Sequence, residues 1–409
     1  MKLQISFPNS RKFNRKIQIT GSKSETNRLL LLQSLYPNLA IENLSKSDDS
    51  EVMRNGLSIS KGTVDIHHAG TAMRFLTSYF ATQEGKEVVL TGSHRMKERP
   101  IGILVDALRS LGAQIGYEEN EGYPPLKIIG KKIAKDKVSL PANISSQYIS
   151  SLCLIGARLT NGLQIELVGK ITSVPYIKMT LSLLEDVGIA STFSGNTIKI
   201  TPKSEVSPKT MVVESDWSAA SYYYSVVALA EVGTEVELSS FKEHSLQGDS
   251  ILSEIYQTFG VVTKYAGNTI VLKKQGDAEP GIFSYDLSNA PDIAQTIAVT
   301  CLGLGLGCHL KGLHTLPIKE TDRLAAMKTE LEKFGATVII DDSSLTLDSL
   351  TQVNDNVAVD TYNDHRMAMA FAPLALRQGF IINDAEVVSK SYRDFWHDFD
   401  KVGFRIETA

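Results

Sequence analysis

The sequence predicts an α/β protein of two domains, each built from repeated strand and helix units, and three observations carry that expectation. Phrases of the form helix, glycine, β-branched run recur at SLGAQI, DVGIAS, TFGVVT, KFGATV and KVGFRI, with glycines at 112, 188, 260, 335 and 403 and intervals of 76, 72, 75 and 68. Each phrase reads as a helix stopped by a left-handed glycine, with a short strand following at once. Helix-stopping glycines occur in any α/β protein, but near-equal spacing argues for a repeated unit holding more than one strand and helix. A chain of 409 residues also exceeds what one hydrophobic core usually organises. The most loop-like stretch, Thr201 to Thr210 (TPKSEVSPKT), lies near the midpoint and is the natural boundary.

Taken in order, the N-terminal MKLQISFPNSRKFNRKIQI alternates apolar and polar residues and reads as a strand pair, without an apolar run of signal-peptide length. GSKSETNRLLLLQSL opens a helix: Ser22 and Glu25 have capping-box spacing, which puts Lys23 and Ser24 in the first turn and Arg28 one turn later. AGTAMRFLTSYFAT repeats the arrangement, with Gly70 and Thr71 before the helix and Arg74 in its first turn. SSQYISSLCLIGARL is opened by Ser145, Ser146 and Gln147, and SVPYIKMTLSLLEDVG places Ser173 ahead of Pro175 with Tyr176 behind it. APDIAQTIAV sets Asp292 after Pro291 in the same way. In KETDRLAAMKTELEKFGA, Leu324, Met327, Leu331 and Phe334 have helical spacing, leaving Lys319, Glu320 and Arg323 at or before the first turn. NDHRMAMAFAPLAL puts Asn363 at the cap, followed by Asp364, His365 and Arg366.

Composition excludes several classes. Lys and Arg number 42 against 46 Asp and Glu, so the formal charge of −4 gives no diffuse field for a nucleic acid. The longest weakly polar run, Ile297 to Gly307, is too short to span a bilayer. Cys153, Cys301 and Cys308 lack CxxC spacing, which favours free thiols in a reducing compartment. GSKS at 21–24 lacks the glycine a P-loop places before its lysine, and GLGLG at 303–307 lacks dinucleotide-binding spacing. His67 and His68 are strand neighbours pointing to opposite faces, so no metal is expected.

What remains is a set of polar clusters at the heads of apolar helices. A helix N-terminus already attracts anions through its free N–H groups and dipole, so Lys or Arg placed there costs stability until an anion arrives. One such cluster alone reads as a cap with a solvated charge; several together argue for a site. Arg forks match carboxylate and phosphate oxygens, so the expected substrates are small and multiply anionic. Asp292 and Glu320 are the carboxylates within these clusters and the acid/base candidates, although each also reads as an ordinary cap or ion-pair partner.

GSKSETNR, AGTAMRF, HRMKERP, SSQY, SVPY, PDIAQTIA, IKETDRL, YNDHRMAMA and SKSYRDF occur in that order between about residue 20 and residue 396. Together they closely resemble the 5-enolpyruvylshikimate-3-phosphate synthase family. The resemblance implies an α/β fold, a two-domain inside-out α/β barrel with three βαβαββ repeats per domain. It implies domains at 20–213 and at 1–19 plus 214–409, with helix N-termini facing an interdomain cleft. The implied reaction transfers the enolpyruvyl group of phosphoenolpyruvate to the 5-hydroxyl of shikimate 3-phosphate, without cofactor or metal. By resemblance, shikimate 3-phosphate lies against Lys23, Ser24, Arg28, Ser145, Ser146, Gln147, Ser173, Tyr176, Asp292 and Lys319. Phosphoenolpyruvate lies among Lys23, Gly70, Arg95, Gln147, Arg323, Arg366 and Lys390. Asp292 is the implied base for the hydroxyl, and Glu320, with Lys23, the implied proton donor. His68, Phe75, Thr315 and Arg393 depart from commoner family forms. Two alternatives are an enolpyruvyl transferase acting on UDP-N-acetylglucosamine, which uses a mobile-loop cysteine, and a non-catalytic sugar-phosphate binder. A cytoplasmic monomer with no nucleic-acid or membrane partner is expected.

Overall fold

The computed structural model describes residues 1–141, 145–169, 171 and 174–409. The chain divides into two compact units, Gly21–Val213 and Met1–Thr20 with Glu214–Ala409. The division falls just beyond the Pro- and Ser-rich stretch, because Lys209–Val212 still pairs in parallel with Leu39–Glu42 inside the first unit.

Among the described residues the strands form six small sheets, and five of them share one plan. In the module Lys61–Ile129, strand Lys61–Asp65 leads through helix Gly70–Thr82 to the parallel strand Glu87–Thr91. Helix Gly102–Leu111 then leads to the hairpin Gln114–Tyr117 and Leu126–Ile129, whose last strand returns antiparallel beside the second. The same βαβαββ order, with the fourth strand between the second and third, recurs in the sheets beginning at Lys137, Asn14 and Ile282, and in the sheet beginning at Ala358 the N-terminal strand Leu3–Ser6 takes the fourth strand's place. The sixth sheet holds only Leu39–Glu42 and Lys209–Val212, so that module lacks the closing hairpin among the described residues. The five repeat glycines lie between the second helix and the third strand, and all five have positive φ, from 75° at Gly260 to 122° at Gly403. A left-handed residue at this turn is what glycine permits without a Cβ penalty, which explains the spacing seen in the sequence.

The N-terminal segment departs from the expected strand pair. Leu3–Ser6 and Asn14–Ile17 are both strands, but the first pairs with Phe380–Ile382 and Arg405–Thr408 and the second with Glu235–Ser239. Alternation marks a strand; its partners lie hundreds of residues away and leave no local trace.

Helices lie inside each unit and sheets outside. Trp217–Leu229 and Ala294–Leu304 carry almost no polar face and are buried around nearly their whole circumference. Gly303 lets these two close on one another: a Cβ there would lie 2.6 Å from Leu229 Cδ2. In the first unit Lys23–Leu35, Gly70–Thr82 and Ser146–Gly156 play the same part, packing against one another in a separate core. Strands such as Lys137–Pro141 alternate buried and exposed residues, as one-sided sheets do. The buried helices are the first helices of their modules and carry most of the polar clusters at their heads, while the clusters of Arg323 and of Tyr176 stand at the second helices Arg323–Lys333 and Val174–Asp186.

Candidate active site

In the second unit one guanidinium organises the cluster. Arg323, the first residue of helix Arg323–Lys333, is 2% exposed and reaches three carboxylates. Its Nε donates to Asp364 Oδ2 at 2.7 Å, Nη1 to Asp292 Oδ1 at 2.9 Å and Nη2 to Glu320 Oε2 at 2.8 Å. Arg366 Nη2 reaches Asp292 Oδ2 at 3.2 Å, while Lys319 Nζ lies 3.5 Å from Asp292 Oδ1 and Lys390 Nζ 3.6 Å from Glu320 Oε1. The helix His365–Phe371 is capped by Asp364, whose Oδ1 accepts from Arg366 N at 2.9 Å. This corrects the expected cap by one residue: Tyr362 and Asn363 form a left-handed turn with φ of 53° and 54°, so the chain enters the helix only at Asp364.

The electrostatics follow from this packing. Burial works against charge on Asp292, yet Arg366, Lys319 and Arg323 outweigh it and hold the carboxyl well below its usual range. Arg323 and Arg366 are likewise disfavoured by burial and rescued by their carboxylates, so both are raised above the ordinary guanidinium value. Four cations thus stand paired with Asp292 and Glu320. An incoming dianion has the charge and the oxygen geometry to displace those two carboxylates from their partners.

In the first unit, Ser22 caps helix Lys23–Leu35 and its hydroxyl accepts from Glu25 N, the expected capping geometry. Lys23 Nζ lies 3.1 Å from Asp49 Oδ2. Arg28 is buried and donates to Thr180 Oγ1 at 2.7 Å, Ser150 Oγ at 3.1 Å and the carbonyls of Ser24 and Tyr176. Burial lowers its pKa to about 10, and Phe75 lies under its guanidinium with the centroid 5.5 Å away, which gives that departure from the family pattern a role. Ser145 caps helix Ser146–Gly156, and Gln147 Nε2 donates to Thr71 Oγ1 at 3.1 Å, bringing two helix heads together. Gly70 and Thr71 lie inside their helix, which starts at Gly70, so Arg74 falls in the second turn. Arg74 donates to Gly70 O and Pro100 O. Ser173 lies outside the described residues.

The three atoms nearest a Cβ on Gly70 belong to Arg99 and not to Arg95. Arg95 sits in the one-turn helix His94–Lys97, pairs with Glu98 at 3.1 Å and leaves 40% of its side chain exposed. Arg99, four residues on, is the one against the helix head: a Cβ on Gly70 would come within 2.7 Å of its Nη1. Two carboxylates were also missed. Asp364 is visible in the sequence as a helix-head residue but not as a partner of Arg323, and Asp49 follows the cap Ser47 of helix Asp48–Ser58 without any local sign that it reaches Lys23.

Residues 39–399 match the family model for EPSP synthase (3-phosphoshikimate 1-carboxyvinyltransferase). A 3-phosphoshikimate 1-carboxyvinyltransferase of Bacteroides fragilis (strain YCH46) is 43% identical over 397 residues, covering 96% of each chain. One from Vibrio cholerae serotype O1 (strain M66-2) is 36% identical, covering 94% of this chain and 95% of its own. The crystal structure of EPSP synthase from Acinetobacter baumannii superposes over 100% of both chains with a TM-score of 0.78 at 18% identity, a likeness of fold.

Proposed function

Because the chain belongs to the EPSP synthase family, we propose that it transfers the enolpyruvyl group of phosphoenolpyruvate to the 5-hydroxyl of shikimate 3-phosphate, releasing phosphate, and that the clusters around Arg323 and Arg28 carry this reaction. The single observation supporting the assignment of roles is the Arg323 hub, which holds both acid/base candidates among four cations.

In this reading Arg323, Arg366, Lys390 and Arg99 receive the carboxylate and phosphate of phosphoenolpyruvate. Arg99 takes the place given above to Arg95, since it is the arginine against Gly70. Lys23, Ser24, Arg28, Ser145, Ser146, Gln147, Ser173, Tyr176 and Lys319 receive shikimate 3-phosphate. Asp292 is a poor base while three cations stabilise its charge. As the substrate anion draws Arg323 and Arg366 away, that stabilisation falls and the affinity of Asp292 for a proton rises. Glu320 or Lys23 gives a proton to the methylene carbon, and cationic character develops on its neighbour. The 5-hydroxyl adds there and passes its proton to Asp292. In the second half the methyl group returns a proton to the same donor, the double bond re-forms, and phosphate leaves carrying the proton that Asp292 had taken from the hydroxyl. Fixed cations are already in place for each charge that develops, so little reorganisation is required.

Transfer to UDP-N-acetylglucosamine through a loop cysteine fits poorly, because Cys153, Cys301 and Cys308 are all fully buried and burial pushes the Cys153 thiol up to about 12. Phosphate release from phosphoenolpyruvate with either acceptor is the test. Release with shikimate 3-phosphate alone is expected; release only with the UDP-sugar, or none, overturns the proposal. The chain is expected to act as a cytoplasmic monomer. Among the described residues no helix is long and apolar enough to cross a membrane.

A further inference from the structure

Behind Arg366 stand two side chains that no step above uses. Arg366 Nη2 donates to Ser218 Oγ at 3.2 Å as well as to Asp292, and Ser218 passes its own hydrogen to Asp249 Oδ2. A serine hydroxyl can accept from an arginine only while its hydrogen is directed elsewhere, and Asp249 supplies that direction. Asp249 is 2% exposed, and its Oδ1 is shielded without a hydrogen-bond partner. The turn that carries it, Gly248–Ile251, is pinned to the head of helix Trp217–Leu229: Gln247 Oε1 accepts from Trp217 N at 3.0 Å and Gln247 Nε2 donates to Ser215 O at 2.8 Å. The arrangement is therefore built, and its far end is a buried carboxyl with one oxygen to spare.

We propose that Ser218 and Asp249 position Arg366 for the anionic substrate, and that Asp249 takes up a proton on its unpartnered oxygen when that substrate binds. The proposal rests on the reading that Arg366 receives phosphoenolpyruvate. Once the substrate replaces Asp292 on Arg366, Ser218 remains as the protein acceptor that keeps the guanidinium plane aimed. The charged groups facing Asp249 are Arg366 from the helix His365–Phe371, Asp292 from the turn Pro291–Ile293 and Asp216 from the cap of Trp217–Leu229. Burial and the two aspartates oppose its ionised form, Arg366 and the hydrogen bond from Ser218 favour it, and the balance pushes the carboxyl up to about 6. An anion seated on Arg366 offsets its one cationic partner, so the carboxyl rises further and gains a proton near neutral pH. The proton sits on Oδ1 while Oδ2 keeps accepting from Ser218, so the positioning bond survives.

Asp249→Asn mimics the protonated form and Ser218→Ala removes the bond, which separates the two parts of the proposal. Initial rates are measured with both substrates varied between pH 5.5 and 8, and thermal melts verify folding. The ratio of the wild-type KM for phosphoenolpyruvate to that of Asp249→Asn should be near one at pH 5.5 and grow to about tenfold at pH 8, with the KM for shikimate 3-phosphate not following it. Ser218→Ala should raise the phosphoenolpyruvate KM about tenfold at every pH with kcat changed less than about threefold, and Ser218→Thr should restore it. A ratio that stays flat with pH overturns the proton uptake. An unchanged KM in Ser218→Ala, or equal rises for both substrates, overturns the positioning. Absence of phosphate release by the wild-type protein would instead remove the functional reading beneath both.

Discussion

Replacing Asp249 by asparagine should stabilise the ligand-free protein, and by an amount that depends on pH. In the unfolded chain the carboxyl titrates at its ordinary value of 3.8; in the folded unit, at 2% exposure, it titrates at about 6. Below pH 3.8 both states hold the proton and the group contributes nothing. As pH rises from there the unfolded chain releases its proton while the folded one keeps it, so the unfolded state is favoured and stability falls. Above about pH 6 both are ionised and the whole cost remains. At about 1.4 kcal/mol per pH unit, that cost is about 1 kcal/mol at pH 4.5 and about 3 kcal/mol at pH 7.5. Asparagine is neutral in both states and keeps the Ser218 bond, so the variant should avoid the cost. For a unit of about 200 residues, 3 kcal/mol corresponds to a melting temperature about 6–12 °C higher at pH 7.5, with a smaller gain at pH 4.5. Scanning calorimetry at the two pH values measures both. A variant that melts no higher than wild type at pH 7.5, or by the same margin at both pH values, would refute the argument that Asp249 is ionised at a cost.

Three further outcomes are expected. Arg323→Lys exchanges a fork that serves three carboxylates for a single ammonium group, leaving buried charge without a partner; denaturant titration should show a loss of about 3 kcal/mol, and the phosphoenolpyruvate KM should rise by more than that for shikimate 3-phosphate. Arg99→Ala should raise the phosphoenolpyruvate KM about tenfold or more, while Arg95→Ala stays within about twofold, since only Arg99 lies on Gly70; the reverse order in steady-state kinetics would return Arg95 to the site. Tyr362→Phe removes the hydroxyl that donates to the buried Glu330 at 2.6 Å and anchors the left-handed turn ahead of Arg366. A stability loss of about 1–3 kcal/mol should accompany a higher phosphoenolpyruvate KM, and an unchanged melting curve would show that the turn holds itself.

Much of this protein is written in short-range patterns. The glycines at 112, 188, 260, 335 and 403 mark the turn between helix and hairpin because only a few neighbouring residues decide whether a helix stops in a left-handed residue. Ser22 and Ser145 are caps in the sequence and caps in the structure, since a side chain reaching an N–H two or three residues away needs no tertiary help. Motif order was enough to identify the family.

Long-range packing decided the rest. Nothing near Leu3 or Asn14 states that they join different sheets, and nothing in HRMKERP separates Arg95 from Arg99 until the body of the unit lies against one of them. Asp292, Glu320 and Asp364 are ordinary helix-head carboxylates one by one; they become a single charged assembly only when Arg323 is buried among all three. Asp249 is the extreme case, a carboxyl in an ordinary sequence context whose proton affinity is set by burial, by charges on three other elements and by the hydrogen bond from Ser218. Caps and turns depend on contacts a few residues apart, which the sequence by itself determined. Burial, and the field it strengthens, depends on contacts tens to hundreds of residues apart, which only the tertiary structure brings about.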